Sequence, residues 1–381
     1  MATFDMAMIQ RGARLRRSPY FDATQRYGPR GFTVYNHMLH PIAFDDLEKE
    51  YWTLLKDVSI WDVSVERQVE ITGPDAFTFT NMLTPRDLDK CEVGQGKYAI
   101  ITAEDGGIVN DPVLLRLGEN HFWLALADSD VLLWAKGLAH GSGLDVEIGE
   151  PDVSPMQVQG PKSKPLMKAL FGDEVLELRY YFFLETELDG IPVIVTRTGW
   201  SAEVGYEIYL RDGSRGEELW ERVMEAGKPY NIVPTGPSDI RRIEAGILNY
   251  GIDMTLENNP YEVGLGWQVE DQDSDYIGKA ALERIAEEGV SRKLVGMEIE
   301  GDPVDLNMAR WPVSHEGREV GYVSSAVYSP RLEKNIGYAW VPAELAELGM
   351  GLTVSVPELG DCAATIVPRP FVDPKKEIPK S

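Results

Sequence analysis

The chain has 381 residues, of which 43% are hydrophobic, and a formal net charge of −25 at neutral pH. A chain of this length predicts two or three domains. So negative a charge repels phosphate backbones, which excludes nucleic acid as the expected partner. Neither a membrane-spanning apolar run nor a signal peptide is evident, and the two cysteines lack metal-ligand spacing. We therefore expect a cytoplasmic protein with no membrane partner and no metal site.

The N-terminal third begins with a basic segment, which runs from Arg11 to Arg30 against the acidic whole. This segment is either a solvated arm, the interpretation we favour, or an anchor for an anionic ligand tail. Residues 44–61 predict an amphipathic helix because apolar residues recur every three to four positions. Residues 67–72 alternate as a strand that ends at a Gly-Pro-Asp turn.

Residues 97–127 predict three strands joined by tight turns. The second strand is interrupted by Asp111, which lies between Asn110 and Pro112. Proline donates no ladder hydrogen bond, so this triplet indicates an edge, a bulge or a ligand site. A wide turn closed by Asn110 and Asp111 explains the same residues equally well.

The middle of the chain predicts short helices at 161–170 and 216–226, with strands between them. In the second of these strands Glu207 and Tyr209 share one face, and Tyr206 lies on the other, so Glu207 belongs to a pocket or to a wet face. Strands and helices mix here without βαβ alternation or a Gly-rich phosphate loop. This pattern favours the α+β class.

A helix predicted at residues 238–251 carries charges on its apolar side. Glu244 falls within the apolar stripe, while Arg242 points away from it. A buried carboxylate must be paired or used. Between the two, a structural pair of Glu244 with Arg241 is favoured over catalysis. Beyond a boundary near residue 290, short strands and turns predict an all-β domain.

Seven stretches follow one another through nearly the whole chain: IWDVSVERQVEITGPDA, GGIVNDPV, VQGPKS, GWSAEVGYEIYL, RRIEAGILNYGIDM, YIGKAAL and SPRLEKNIGYAWVP. In this order they resemble the aminomethyltransferase family, to which the folate-binding T-protein of glycine cleavage belongs. The resemblance implies a three-domain T-protein-like fold with antiparallel sheets, a ferredoxin-like domain and a small C-terminal β-barrel or jelly-roll domain. It implies a discontinuous folate-binding domain 1 at residues 1–60 and about 235–285, a domain 2 at 61–234 sharing segments with it, and an all-β domain at 290–381.

The resemblance also implies a site for tetrahydrofolate, the co-substrate of the family. At matching positions, Asp111 would be the catalytic residue, beside N5 of the pterin. Glu207 would hydrogen-bond the pterin ring, and Arg242 would face the charged tail of the folate or a carboxylate of the pocket. Tyr98 would line the same cavity.

Aromatic side chains at matching positions would surround the methyl donor. Trp200 and Tyr98 are the first candidates, with Tyr206 and Trp61 as further walls. Aromatic faces attract a cation, and each contact contributes about 1–2 kcal/mol when it is desolvated.

Within the family, the stretches are most similar to the branch that demethylates dimethylsulfoniopropionate. That branch implies transfer of a methyl group from a sulfonium to N5 of tetrahydrofolate, giving 5-methyltetrahydrofolate. It generally carries Lys-Gln-Gly where this chain has residues 202–205, so a betaine or a methoxyaromatic acid stays open as the donor. An aminomethyltransferase of glycine cleavage and a non-enzymatic folate-binding protein are further alternatives. The expected partner is a small-molecule methyl donor, and a homodimer stays open.

Overall fold

The computed structural model describes Gly12, residues 14–357 and residues 359–381. Arg11 of the basic segment and the first residues of the predicted domain 1 lie outside this range. The helices are α1 (Phe21–Arg26), α2 (Leu47–Lys56), α3 (Ala76–Met82), α4 (Val131–Ser142), α5 (Ser163–Phe171), α6 (Gly216–Gly227), α7 (Asp239–Glu244), α8 (Lys279–Glu288) and α9 (Glu377–Lys380).

The strands of the first half of the chain are short. They are β1 (Gly31–Tyr35), β2 (Met38–Ala43), β3 (Val58–Asp62), β4 (Gln68–Thr72), β5 (Gln95–Tyr98), β6 (Ile101–Thr102), β7 (Ile108–Asn110), β8 (Val113–Gly118), β9 (His121–Ala125), β10 (Glu147–Gly149) and β11 (Ser154–Gln159). The later strands are β12 (Phe183–Leu188), β13 (Ile191–Thr196), β14 (Gly205–Leu210), β15 (Ile232–Pro234), β16 (Arg292–Ile299), β17 (Trp311–His315), β18 (Arg318–Ser329), β19 (Lys334–Pro342), β20 (Gly351–Val356) and β21 (Gly360–Val367).

The chain divides into two compact units, and the first, unit 1, comprises Met1–Arg67, Asp152–Ser238 and Glu377–Ser381. Its main sheet has the order β12-β13-β14-β11-β3-β15, with antiparallel neighbours except for the parallel pair β3 and β15. Apolar side chains of α5 and α6 cover one face of this sheet. The alternation predicted for β14 is confirmed, because its even-numbered side chains enter that core.

Unit 2 comprises Gln68–Pro151 and Asp239–Lys376. It contains a five-stranded sheet of order β10-β4-β9-β8-β5, a two-stranded sheet of β6 and β7, and a closed barrel of order β16-β19-β18-β17-β20-β21. Helices α3 and α4 pack on the five-stranded sheet, and the barrel encloses a separate core. The predicted α+β class and C-terminal barrel are confirmed, while the predicted domain boundaries stay a prediction.

Two predicted helices are shorter than the sequence pattern suggests. The helix at 44–61 ends at Lys56, and the apolar residues that follow form β3, a buried strand paired with both β11 and β15. The helix at 238–251 ends at Glu244. Gly246 adopts a φ of 71°, a left-handed conformation that ends a helix and that glycine adopts without strain. In the part of the chain that the structure describes, no helix is long and apolar enough to span a membrane.

Candidate active site

Asp111 lies where the chain leaves one sheet and enters another, between β7 and β8. The side chain of Asn110 stabilises this break, because its Nδ2 donates to the carbonyl oxygen of Ala127 (3.0 Å) and to Ser129 Oγ (2.7 Å). Its Oδ1 accepts from the backbone N–H of Ala127 (3.1 Å). A side-chain amide thus provides hydrogen bonds that a regular ladder supplies elsewhere. The predicted irregularity is confirmed.

The carboxyl group of Asp111 is electrostatically unusual. Tyr98 donates a hydrogen bond from its hydroxyl to Asp111 Oδ2 at 2.9 Å. Burial raises the pKa of Asp111 from its ordinary 3.8 to about 7, a rise that the bond from Tyr98 opposes and the charge of Asp253 increases. Burial and the charge of Asp111 together raise the pKa of Tyr250 to about 12. At neutral pH, the Asp111 carboxyl can therefore both hold and release a proton.

Arg242 lies at the centre of a buried ionic network. Its Nη1 contacts Asp253 Oδ2 at 2.8 Å and its Nε contacts Asp239 Oδ1 at 2.6 Å. Asp253 Oδ1 also accepts hydrogen bonds from Ser324 (2.7 Å) and Ser325 (2.6 Å). Burial alone would lower the pKa of Arg242, but the charges of Asp253 and Asp239 raise it. A desolvated ion pair is tolerated when its remaining hydrogen-bonding groups are satisfied, as they are here.

Two partners are predicted for Arg242, the charged tail of the folate and a carboxylate of the pocket. Its guanidinium pairs with carboxylates of the chain itself, and contact with a folate tail stays a prediction. Neighbouring Glu244 and Arg241 are fully buried, with Oε2 and Nη1 3.7 Å apart. Ser329 donates to Glu244 Oε1 at 2.6 Å. The predicted pairing of Glu244 with Arg241 is therefore confirmed, and its structural role stays a prediction.

A second polar cluster, in unit 1, surrounds Glu207 on β14. Its Oε1 accepts from Gln157 Nε2 at 2.6 Å, and its Oε2 accepts from Tyr209 (3.1 Å), Thr196 (3.4 Å) and, through a short bond, Thr198. Burial raises the pKa of Glu207, and these hydrogen bonds oppose the rise. Each carboxylate oxygen has two lone pairs, so Oε1 can accept one donor beyond Gln157.

Trp200 lies half-buried in the loop between β13 and β14. It packs with Leu54, Trp61 and Val63 in a small apolar cluster. Trp61 is only 1% exposed, and its indole Nε1 donates to Thr235 Oγ1 at 2.5 Å. Trp200 is therefore partly exposed, whereas Trp61 is buried in the same cluster.

Tyr206 lies in the apolar core of unit 1, on the face of β14 opposite Glu207. The guanidinium of Arg197 lies over its ring, 5.0 Å from the centroid. Tyr206 is fully buried. Contact between Tyr206 and the methyl donor therefore stays a prediction.

The polar partners of Glu207 were missed by sequence reasoning. Gln157 and Gln159 stand at alternate positions of β11, a strand whose residues are all buried. In the antiparallel pair of β11 and β14, Gln157 lies directly opposite Glu207. Two amides on one face of a fully buried strand are the signal that could have identified this cluster.

Comparison with known proteins places the chain in a family. Residues 5–272 match the model of the GCVT N-terminal domain, and residues 292–373 match that of the glycine cleavage T-protein C-terminal barrel domain. The chain belongs to the glycine cleavage T-protein family. The predicted family is thus confirmed.

Individual relatives match along almost the whole chain. The dimethylsulfoniopropionate demethylase DmdA of Ruegeria pomeroyi is 41% identical over 353 residues, covering 93% of this chain and 96% of that protein. The aminomethyltransferase of Bacillus subtilis is 31% identical over 351 residues, covering 90% and 95%. The crystal structure of glycine cleavage system aminomethyltransferase T from Bartonella henselae aligns with a TM-score of 0.84 over 94% of this chain and 98% of that one. At 23% identity, that structure shows the fold alone.

Proposed function

We propose that the chain is a tetrahydrofolate-dependent methyltransferase that demethylates a small cationic donor, with dimethylsulfoniopropionate as the first candidate. The observation that carries this proposal is the 41% identity to a dimethylsulfoniopropionate demethylase over 93% of the chain. The aminomethyltransferase of Bacillus subtilis reaches 31% over a similar length. Both activities move a one-carbon unit, so the class of transfer is common to these relatives.

The polar groups of the chain are suited to tetrahydrofolate. This co-substrate supplies N5, the nucleophile that accepts the methyl group. Transfer to an amine releases one proton, and Asp111, with a pKa of about 7, is suited to take it at neutral pH. Glu207 Oε1 accepts one donor and has a second lone pair, which suits an N–H of a pterin ring. Asp111 belongs to unit 2 and Glu207 to unit 1.

The donor side of the proposal depends on charge. A methyl group on a sulfonium already has a good leaving group, so its displacement requires alignment and desolvation more than acid catalysis. The partly exposed ring of Trp200 suits a cation. A betaine shares these features, whereas a methoxyaromatic acid needs a proton on its leaving oxygen.

A donor panel tests the proposal. The protein is incubated with tetrahydrofolate and, separately, dimethylsulfoniopropionate, glycine betaine, a methoxybenzoate or an aminomethylated lipoyl carrier, and the folate product is identified by mass spectrometry. We expect 5-methyltetrahydrofolate from the sulfonium, and Asp111→Asn as the control with little product. Methylenetetrahydrofolate from the carrier alone would instead support aminomethyl transfer. No folate product from any donor would overturn both.

We further propose a cytoplasmic location, supported by Cys91 and Cys362, which form no disulfide. A homodimer stays a prediction, and sedimentation equilibrium of the purified protein tests it directly.

A further inference from the structure

The loop that carries Trp200 is closed around one buried amide. Gln159, the last residue of β11, is fully buried. Its Nε2 donates to the carbonyl oxygens of Thr198 (3.2 Å) and Tyr206 (3.1 Å), which flank the loop on either side. Its Oε1 accepts from Ser201 Oγ at 2.6 Å. One side chain thus binds the beginning, the middle and the end of the loop.

Two glycines make room for this amide. A Cβ atom on Gly199 would lie 2.3 Å from the Gln159 amide, and one on Gly205 would lie 2.2 Å from it. Either contact is shorter than a real Cβ atom makes, so any other residue at these positions would displace the amide of Gln159. Ser201 Oγ also accepts from the backbone N–H of Glu203 at 3.0 Å. The Gly-Trp-Ser sequence and the later glycine therefore fit one arrangement, with the amide between two glycines.

A neighbouring glutamine holds Trp200 itself. The backbone N–H of Trp200 donates to Gln157 Oε1 at 3.2 Å, and Gln157 Nε2 donates to Glu207. Gln157 therefore belongs to the polar cluster already described. Gln159 makes no hydrogen bond to Glu207 itself but bonds the backbone carbonyl of Thr198, whose hydroxyl belongs to that cluster. The KM of tetrahydrofolate therefore serves as the control for any effect that reaches Glu207.

We propose that Gln159 is a positioning residue for the methyl donor, whose amide holds the loop at 198–204 in the conformation that presents the Trp200 ring to a cation. This inference rests on the proposed function. A ring fixed in advance costs little conformational entropy when the donor binds, whereas a loose loop must be ordered at that moment. Loss of the anchor should therefore weaken donor binding and leave tetrahydrofolate binding almost unchanged.

Gln159→Glu tests this directly because it keeps the shape of the side chain but turns the two N–H donors into an acceptor facing two carbonyls. A cation–π contact corresponds to roughly 5- to 30-fold in affinity, so we expect the KM of the donor to rise about tenfold. The KM of tetrahydrofolate should change less than twofold. In a Trp200→Ala background, Gln159→Glu should add no further rise in donor KM. An additive rise, or equal rises for both substrates, would overturn the proposal.

Ser201→Ala is the second variant, because Gln159→Glu can fail to fold and a thermal melt would reveal that. It removes one hydroxyl that bonds Gln159 and the Glu203 amide. Hydrogen–deuterium exchange should then speed up at the amides of Trp200 and Glu203, while the exposed-surface control Ser355→Ala leaves them unchanged. Unchanged exchange in Ser201→Ala would overturn the anchoring role. This measurement needs no turnover, so it tests whether these side chains hold the loop in place even if the wild-type protein methylates no folate.

Discussion

Replacing Asp111 by asparagine should inactivate the protein and stabilise it at the same time. The pKa of Asp111 rises from 3.8 to about 7 on folding, so the folded protein binds a proton that the unfolded chain has lost. Stability is therefore lost as pH rises from about 4 to about 7, and the loss is complete above that range. At 1.36 kcal/mol per pKa unit the full cost is about 4 kcal/mol. Partial exposure of the residue reduces this to roughly 2 kcal/mol.

Asparagine keeps an acceptor for Tyr98 but carries no charge, so it removes this cost. For a chain of this length, 2 kcal/mol corresponds to a rise in Tm of roughly 2.5 °C. Both proteins are compared by scanning calorimetry at pH 5.5 and at pH 8. The Tm of Asp111→Asn should exceed that of the wild type at both pH values, and the difference at pH 8 should be about double the difference at pH 5.5. Folate binding should persist while methyl transfer falls steeply. An advantage that shrinks with rising pH, or a variant with normal turnover, would refute the reasoning.

Three further outcomes follow from the same geometry. Trp200→Ala should raise the KM of a cationic donor roughly 5- to 30-fold and that of tetrahydrofolate far less; steady-state kinetics with each substrate varied would expose equal losses. Tyr98→Phe removes the bond that lowers the pKa of Asp111, so the limb of the pH–rate profile near pH 7 should move to higher pH, and an unmoved limb would separate Tyr98 from the titration. Asp253→Asn leaves Arg242 without its fully buried charge partner, so it should destabilise the protein by roughly 3 kcal/mol in urea denaturation; a loss below about 1 kcal/mol would contradict the network.

Local patterns predicted those features that depend on neighbouring residues in the sequence. The alternation of β14 placed Glu207 opposite the core, and the Asn110-Asp111-Pro112 triplet predicted a break in the strand. The helix predicted at 238–251 is longer than the observed one because the apolar spacing continues past Gly246, where the backbone becomes left-handed. The hydrogen bonds from Ser324 to Asp253 join residues 71 positions apart. A periodic sequence pattern cannot predict such a pairing, because only the tertiary packing brings the two residues together.

Two aspartates of unit 2 show how the same side chain can serve structure or chemistry. Asp253 is fully buried and accepts hydrogen bonds from two serines, an arginine and a backbone amide. Asp111 receives its side-chain hydrogen bond from a neutral phenol, Tyr98, and burial is the largest influence on its pKa. Neutralising Asp253 should therefore destabilise the fold, whereas neutralising Asp111 should stabilise it. A carboxylate kept at a cost to stability in a break between two sheets is best explained by a task in proton transfer.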